Sequence, residues 1–580
     1  NSFQLFAEIN DNTDFDAVNK RIINAKLDKV PAEDKKFNSK IFLHPMKKWH
    51  LYSSWENGFY NGGKISYVKM FATIGIFVLL LACINFMNLS TARSERRAKE
   101  IGIRKTVGSL RAQLISQFLC ESVLVALLAF VFSIIIVMGL LPWFNEVADK
   151  KMSVLWGNPY FWVTGILFTL VTGLIAGSYP ALYLSSFTPV KVLKGTFRAG
   201  RLAALPRKVL VVLQFTVSVA LIIGTIIVYQ QLQYSKNRPV GYNRNGLIMV
   251  PMTTPEFFGK RNVLKTELKK TGAITEMAES NSPLTAIWNN SGDYEWEGKD
   301  PNVDVDFAVV WVTPDYGKTV GFEIKEGRDY SKDFPGDSSS IVVNESAVKF
   351  MNIKDPVGKI ITSGNGADQE KFTIIGVVKD MVITSPYEPV KQTLYRPASG
   401  NINWMLLRLN PAKSVGESLA TIEQVYKANI ATAPFTYKFV DEDYASKFAE
   451  EVRVGKLASF FTILAILISC LGLFGLASFV AEQRTKEIGI RKIVGASLFN
   501  LWGLLSKDFI LLVGLSCLMA IPLGYYYLNN WLQQYDYRIS ISWWVFVIAI
   551  AGAITITLLT VSFQAIKAAL ANPVKSLRSE

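Results

Sequence analysis

Seven apolar runs, each long enough to cross a lipid bilayer, constrain the fold of this sequence more than any other feature. A membrane-spanning helix needs about 20 mostly apolar residues, because the apolar part of a bilayer is about 30 Å thick. It must be helical, because no water inside the bilayer can bond its backbone. The runs extend over roughly 67–90, 113–141, 160–184, 208–230, 456–481, 502–528 and 542–566. The sequence therefore predicts an α-helical polytopic membrane protein.

A long polar stretch, 234–453, separates the fourth run from the fifth. It contains strand-like segments such as "SIVVNESAV" and "KFTIIGVVKD", turn residues such as "GNG", and amphipathic helix-like stretches. Alternating apolar and polar residues between turn signals are typical of strands that pack on a core. We expect this stretch to fold as an α+β domain outside the membrane.

The positive charge of the chain is concentrated in a few loops. The basic segments are 93–111, 191–208, 484–492 and the C-terminal tail. The loops at 142–158 and 530–541 are nearly balanced in charge. Since short basic loops remain in the cytoplasm, this pattern predicts that 1–64 and 234–453 lie on the outer side.

The overall charge has a second interpretation. Half of the residues are hydrophobic and the net charge is +15, and strongly basic proteins often bind nucleic acid. The apolar runs are too long for a soluble domain, however. We therefore expect the lipid bilayer, and no nucleic acid, as a partner.

A seven-residue string, "KEIGIRK", occurs twice, at 99–105 and at 486–492. One variable residue and then Val-Gly follow each copy, and the same spacing relates Glu121 to Asp508. The segments "PVKVLKG" at 189–195 and "PVKSLRS" at 573–579 end the two halves. The chain therefore contains a duplicated unit of one span, an outer domain and three spans. By this symmetry, we expect one span and most of an outer domain to precede Asn1.

The duplication divides the chain into five parts. They are 1–62, the C-terminal remnant of a first outer domain; 63–200, a first three-span unit; 208–230, the span before the second outer domain; 234–453, that domain; and 454–580, a second three-span unit.

The repeated string has two interpretations. It could be a basic flank that only fixes the orientation of the neighbouring span, for which any Lys or Arg would serve. It could also dock a partner, because its apolar residues alternate with charged ones and its glycines disfavour a long helix. Two identical copies would then suit a partner with two equivalent surfaces.

The residues around the string resemble a known family. "RRAKEIGIRKTVGS", "QRTKEIGIRKIVGA" and the outer segment 321–380 are similar to ABC transporter permeases of the FtsX/MacB type, and the duplication resembles their large form in Bacteroidota. The resemblance implies an inner-membrane protein with a MacB-like periplasmic core domain. It also implies that a separate cytoplasmic ATPase dimer drives the periplasmic domains through the string, a mechanism called mechanotransmission.

The resemblance assigns the contact with the ATPase to the two copies of the string. Its residues are Lys99, Glu100, Ile101, Gly102, Ile103, Arg104, Lys105 and Gly108, and Lys486, Glu487, Ile488, Gly489, Ile490, Arg491, Lys492 and Gly495. Glu121 and Asp508 are further candidates, because ionisable residues inside apolar spans are usually functional. They could bond neighbouring helices, reach to the membrane interface, or serve this coupling.

No GxxxxGK(S/T) motif for nucleotide phosphates occurs in the chain, so we expect ATP hydrolysis in another subunit. With only His44 and His50 as histidines, we expect no catalytic residue, no cofactor and no metal. The favoured function is export or extraction of a substrate. The alternatives are an FtsX-like regulator of a periplasmic cell-wall hydrolase, and a sensor or enzyme in the outer domain. A periplasmic adaptor or hydrolase is a further possible partner.

The orientation can be tested by cysteine labelling in a variant without the native cysteines. Single cysteines at Ser109 and Ala496 should be shielded from an impermeant thiol reagent in intact cells, because the first lies in a basic loop and the second directly after one. A cysteine at Gly364 should be labelled. Labelling at Ser109 before lysis would contradict the orientation.

Overall fold

The computed structural model describes residues 5–30, 35, 38–56, 59–60, 62–94, 98–185, 205–300, 303, 305–364, 369–398, 400 and 402–570. The matching segments at 189–195 and 573–579 lie outside this description, and so do the side chains of Lys99 and Lys486.

The N-terminal segment has little regular structure in its described part. It contains α1 (Phe15–Ile22) and the antiparallel pair β1 (Trp55–Glu56) and β2 (Phe59–Tyr60). Asp14 caps α1 by accepting a hydrogen bond from the backbone NH of Ala17.

Seven helices in the described residues have the length and composition to cross a membrane. They are α2 (Ile65–Ser94), α4 (Arg111–Ala148), α5 (Pro159–Ser185), α6 (Leu205–Lys236), α12 (Ala449–Gln483), α14 (Leu498–Leu532) and α15 (Trp543–Leu570). Each contains one of the seven apolar runs, so this prediction is confirmed. Two short helices, α3 (Ala98–Thr106) and α13 (Thr485–Ile493), follow α2 and α12.

Four of the spans, α6, α12, α14 and α15, pack around one apolar core. Val219, Ile223, Val513, Ala520 and Ala549 are among its buried residues. The small residues Ala520 and Ala549 allow the helices to approach closely, which is the usual basis of helix packing in lipid. These four spans therefore form one bundle.

The helices α6 and α12 are longer than a bilayer is thick. They contain 32 and 35 residues, so at 1.5 Å per residue each is about 50 Å long. The apolar part of a bilayer is only about 30 Å thick. Both helices therefore continue past the membrane and reach the outer domain.

The outer domain lies between α6 and α12 and is built on twelve strands. The strands are β3 (Leu247–Pro251), β4 (Ile274–Ser280), β5 (Asn290–Ser291), β6 (Tyr294–Trp296), β7 (Phe307–Val312), β8 (Ile324–Gly327), β9 (Ser340–Asn344), β10 (Ile360–Ser363), β11 (Glu370–Val378), β12 (Thr393–Pro397), β13 (Trp404–Leu409) and β14 (Lys438–Phe439). Its helices are α7 (Glu256–Lys270), α8 (Tyr316–Val320), α9 (Glu345–Met351), α10 (Val415–Asn429) and α11 (Val440–Ser446).

The sheet has two halves that are joined at one point. The order in the first half is β14-β3-β13-β4, and in the second it is β7-β12-β9-β11-β10-β6, with β5 on β7 and β8 on β11. Among the described residues, β4 pairs with β7 at a single register position, Ser280 with Val312, and backbone hydrogen bonds of Glu279 with Thr313 and of Asn281 with Trp311 flank it. The expected α+β domain is thus present, as two subdomains that meet at this pairing.

Both faces of the sheet are covered, as β13 illustrates. Met405 and Leu407 face a core beneath α7 and α10, whereas Leu406 faces a second core on the opposite side. Side chains of consecutive strand residues point to opposite faces, so a continuous apolar run is buried on both. The second core also contains Leu232 of α6 and Phe448, next to α12. The sheet is therefore packed directly onto the two long helices.

The loop after β8 contains a carboxyl group in an unfavourable environment. Burial raises the pKa of Asp329 to about 6. A folded-state pKa above the unfolded value means that stability is lost as the pH rises from about 4 to 6. Asp329→Asn should therefore stabilise the outer domain at pH 8, by about 1–2 kcal/mol.

Amide hydrogen exchange in β8 and β11, which pair beside Asp329 at Gly327 and Gly376, measures this effect. The variant should exchange more slowly than the wild type at pH 8, and the difference should shrink toward pH 4. Equal exchange at pH 8 would contradict the assignment.

Candidate coupling site

The two copies of the repeated string form the same local structure. Each forms a nine-residue helix, α3 or α13, which we call the repeat helices. Gly108 and Gly495 end them with φ angles of 103° and 94°, a region that favours glycine. The next backbone NH, of Ser109 or Ala496, donates to the carbonyl of Arg104 or Arg491 at 3.0 and 2.9 Å. Glycine at this place therefore sets the end of both helices.

The isoleucines of the string divide between two faces of each repeat helix. Ile101 and Ile488 are 3% and 2% exposed, whereas Ile103 and Ile490 are 52% and 54% exposed. Residues two apart on an α-helix point in nearly opposite directions. One isoleucine therefore anchors each helix and the other faces outward. Gly102 and Gly489 lie on the buried side.

Ile488 anchors α13 on three membrane spans. It packs with Ala481 of α12, Leu501 and Leu505 of α14, and Ala565 of α15. Because these contacts are apolar and buried, α13 is attached to all three spans at their inner ends. A force on α13 would therefore act on the whole bundle.

The first repeat helix is held at the end of α5. The ammonium group of Lys105 donates to the carbonyl oxygen of Ser185 at 2.7 Å. Nε of Arg111, at the start of α4, donates to the hydroxyl of the same serine at 3.3 Å. Ser185 therefore joins α3, α4 and α5.

The charged residues of the string pair within their own helices. Arg104 lies 2.6 Å from Glu100 and Arg491 lies 2.7 Å from Glu487, each one helical turn apart. Such exposed pairs stabilise a helix by about 0.3–0.5 kcal/mol. Lys492 occupies the place in the second copy that Lys105 has in the first.

The two membrane acids lie close to the repeat helices but make different contacts. Asp508 pairs with Arg484, at the start of α13, at 2.9 Å. Glu121 accepts a hydrogen bond from Gln117 at 3.4 Å, and Gln117 accepts one from Arg104 at 2.8 Å. Glu121 is thus connected to Arg104 of the string through Gln117, whereas Asp508 is connected to the residue just before α13.

Two valines that are not among the predicted contact residues are the most exposed apolar residues at these tips. Val107 and Val494 are 83% and 82% exposed. Leu110 and Ile493 are exposed beside them. Exposed apolar clusters commonly mark interaction surfaces. The sequence feature that could have indicated these two valines is the Val-Gly dipeptide, which occurs after both copies of the string.

Family models match most of the chain. The model described as "FtsX-like permease C-terminal" matches residues 72–189 and 459–573, once in each copy of the repeat. The model described as "MacB-like periplasmic core domain" matches residues 209–425. The chain belongs to the FtsX/MacB-type permeases of ABC transporters. This permease is a multi-pass protein of the inner membrane, with its outer domain in the periplasm.

Individual relatives are similar over shorter stretches. The macrolide export ATP-binding/permease protein MacB of Campylobacter jejuni subsp. jejuni is 26% identical over 122 residues, which are 21% of this chain and 19% of that protein. The uncharacterized ABC transporter permease YknZ of Bacillus subtilis is 30% identical over 134 residues, 23% of this chain and 33% of that one. The chain thus spans between a fifth and a third of the length of these two relatives.

Among solved structures, the chain is similar to the periplasmic region of MacB from Actinobacillus actinomycetemcomitans. It is 16% identical, with a TM-score of 0.27, and the match covers 35% of this chain and 92% of that chain.

At its outer end, the permease holds the domain to the bundle through the loop between α14 and α15. Gln231 of α6 donates to the carbonyl of Tyr537 at 2.8 Å and accepts from the NH of Ile539 at 2.9 Å. The NH of Tyr537 donates to the carbonyl of Tyr387 in the outer domain at 3.1 Å. This loop, 535–539, is therefore bonded to both α6 and the outer domain.

Arg238 strengthens the same junction. Its guanidinium donates to the carbonyls of Pro386 and Glu388, both at 2.8 Å, and lies 4.4 Å above the ring of Tyr537. Lys447, beside α12, donates to three backbone carbonyls of the outer domain, including that of Ile383 at 2.8 Å. Because the group is desolvated, the pKa of Lys447 is lowered. We call these contacts the outer latch.

The two copies of the repeat meet where α2 crosses α12. Asn85 of α2 donates to the carbonyl of Ile468 at 3.4 Å. Its Oδ1 and the Nε2 of Gln214 both lie next to Gly472, and neither atom has a hydrogen-bond partner among the described residues. On the outer side, Arg453 of α12 pairs with Asp149 at 2.8 Å. These contacts join the first copy to the second.

The close approach at Gly472 can be tested with Gly472→Ala. The added methyl carbon would lie 2.6 Å from Oδ1 of Asn85 and 3.1 Å from Nε2 of Gln214. Overpacking of this kind costs about 1–3 kcal/mol, so thermal unfolding in nanodiscs should begin at a lower temperature. Adding Asn85→Ala should restore most of the loss, because the clashing oxygen is then gone.

Gly514→Ala is the matched control, since nothing lies within 4 Å of a methyl group there. It should leave the unfolding temperature unchanged or raise it, as alanine favours helix. Equal stability of the Gly472 and Gly514 variants would show that the contact is not tight.

Proposed function

We propose that this permease transmits motion from a cytoplasmic ATPase dimer to its periplasmic domain, and so drives export or extraction of a substrate. The observation that carries the proposal is the duplicated tip. Two identical strings form two equal helices, and each has one buried isoleucine as an anchor and one exposed valine at its end.

The number of tips fits a partner with two equivalent subunits. A symmetric dimer presents the same surface twice, and each repeat helix would occupy one of these surfaces. The exposed residues Ile103 and Val107, and their equivalents Ile490 and Val494, would supply the apolar contact. An anchor made only for membrane orientation would need positive charge but no exposed apolar residue.

The path of the motion follows from how the helices are attached. Displacement of α13 acts on α12 through the buried contact of Ile488 with Ala481. The helix α12 is continuous from Gln483 to Ala449, so movement at its inner end carries its outer end. The outer latch then moves the periplasmic domain together with α6 and α12. Nothing in this path requires a channel between the helices.

We infer the direction of transport from the name of a related protein. MacB of Campylobacter jejuni subsp. jejuni is named as a macrolide export protein, and we extend export, but not its cargo, to this permease. That relative is also named as an ATP-binding protein. Here we assign ATP hydrolysis to a separate subunit.

The double variant Val107→Ser with Val494→Ser tests the docking role. Neither change alters the positive charge, so membrane orientation should be normal. Burial of one valine contributes about 1.5–3 kcal/mol, so binding of the ATPase should weaken at least tenfold. The measurement is co-purification of the ATPase from native membranes, together with ATP hydrolysis by the purified complex. Each single variant should have a smaller effect than the pair.

Val415→Ser is the control, because Val415 is an exposed valine on α10 of the outer domain. It should leave co-purification and ATP hydrolysis unchanged. Normal values in the double variant would leave the string as an orientation signal only, and would remove the main support for the proposal.

A further inference from the structure

A cleft opens in the outer domain where the two halves of the sheet meet. Its volume is about 270 Å³. The helix α7 and the end of β4 form one side, and the segment after β7 forms the other. The NH of Glu279 donates to the hydroxyl of Thr313 across this junction at 2.9 Å. Clefts between structural units are common places for ligands.

Charged side chains of both signs line the cleft. Arg261, Lys265 and Lys332 supply positive charge, and Glu279 and Asp315 supply negative charge. Arg261 lies 3.3 Å from Glu279, while Lys265 bonds Asp315 directly. Lys332 is 3.5 Å from the same oxygen of Asp315. One aspartate is therefore shared by two lysines, which leaves excess positive charge at the mouth of the cleft.

The two carboxyl groups differ in their environment. Burial raises the pKa of Glu279, despite the nearby Arg261. Burial also opposes ionisation of Asp315, but the hydrogen bond and charge of Lys265, with Lys332, outweigh it and lower its pKa. Asp315 is thus the carboxylate that already pairs with Lys265 and Lys332, and an incoming anion would compete with it for these two lysines.

A basic groove continues from this cleft along α7. Lys265 and Lys332 line both, and Lys269 and Lys270 extend the groove. No carboxylate is among the residues that line the groove in the described part of the domain. Lys269 pairs with Glu276 at 2.7 Å outside it. The combined surface therefore attracts negative charge.

Apolar residues also line the cleft, and Phe258 among them is 43% exposed. The others are Pro314 and the buried Met277 and Ala278. An engineered cavity of about 150 Å³ holds one benzene molecule. On that scale, this cleft admits a body of roughly eleven non-hydrogen atoms.

We propose that this cleft binds a small anionic amphiphile. Its phosphate or carboxylate group lies among Lys265, Lys270 and Lys332, and its apolar body lies against Phe258 and Pro314. This site goes beyond the coupling function proposed above, because binding in the outer domain requires neither ATP nor an ATPase. Failure of one proposal therefore leaves the other intact.

The alternative is a purely structural role, in which the pair of Lys265 with Asp315 only fastens the two halves of the sheet to each other. In that case Asp315 would keep its lysines and no anion would bind. The two explanations differ in their response to substitution of Lys270 and Lys332, because the ion pair across the junction is Lys265–Asp315 and includes neither of these lysines.

Calorimetric titration of the full chain in neutral-lipid nanodiscs tests the proposal, with empty nanodiscs as the blank. The probes are 1-naphthyl phosphate, 1-naphthoate, inorganic phosphate and 1-naphthol, and no nucleotide is present. At least one of the first two should bind saturably, and the stronger of them identifies the head group. Inorganic phosphate and 1-naphthol should each bind at least tenfold more weakly, because each lacks one of the two contacts.

Substitutions then locate the site. Lys270→Ala with Lys332→Ala should weaken the stronger probe at least tenfold, and Phe258→Ala should weaken it severalfold. Lys427→Ala is the matched control, an exposed lysine of the same domain that pairs with Glu423, and should have no effect. Absence of saturable binding would overturn the proposal. So would equal binding of 1-naphthol, or unchanged binding in the Lys270 and Lys332 double variant.

Discussion

The backbone's need for hydrogen bonds inside lipid is the constraint on which the rest of this structure depends. Because the bilayer offers no partner to peptide groups, the chain crosses it only as uninterrupted helices. Two of these helices, α6 and α12, continue beyond the membrane into the outer domain. Two continuous helices therefore support the domain, and buried contacts at Leu232 and Phe448 fix it to them. The position of the domain follows from the position of these two helices.

Because the two copies of the repeat belong to one chain, equivalent positions in them can hold different residues. This matters where the two copies pack against each other. Asn85 and Gly472 occupy equivalent places, counted from the repeated string, yet they face each other where α2 crosses α12. In a symmetric homodimer, both places would hold the same residue. Two asparagines would collide here, and two glycines would leave a gap. The pair of one large and one small residue allows close packing, and Gln214 fills the remaining side.

The sequence could predict the spans and the strands because both depend on local patterns. A run such as 113–141 is apolar throughout, and lipid turns this property directly into a helix. It could not predict which isoleucine of the string is the anchor, since Ile101 and Ile103 are chemically the same. That choice depends on where Leu501, Leu505 and Ala565, or their counterparts, lie in space. The exposure of Val107 and Val494 escaped prediction for the same reason.

By itself, the sequence determined the membrane class, the seven spans, the repeat and the place of the outer domain. It also determined the ends of the repeat helices, since a positive φ angle at Gly108 and Gly495 is a local property. Only the tertiary structure decided that Asp508 pairs with Arg484, that loop 535–539 bonds the outer domain, and that Lys332 joins Arg261 and Lys265 around one cleft. These groups are far apart in the chain. Their meeting depends on the packing of whole helices and strands, which no local pattern encodes.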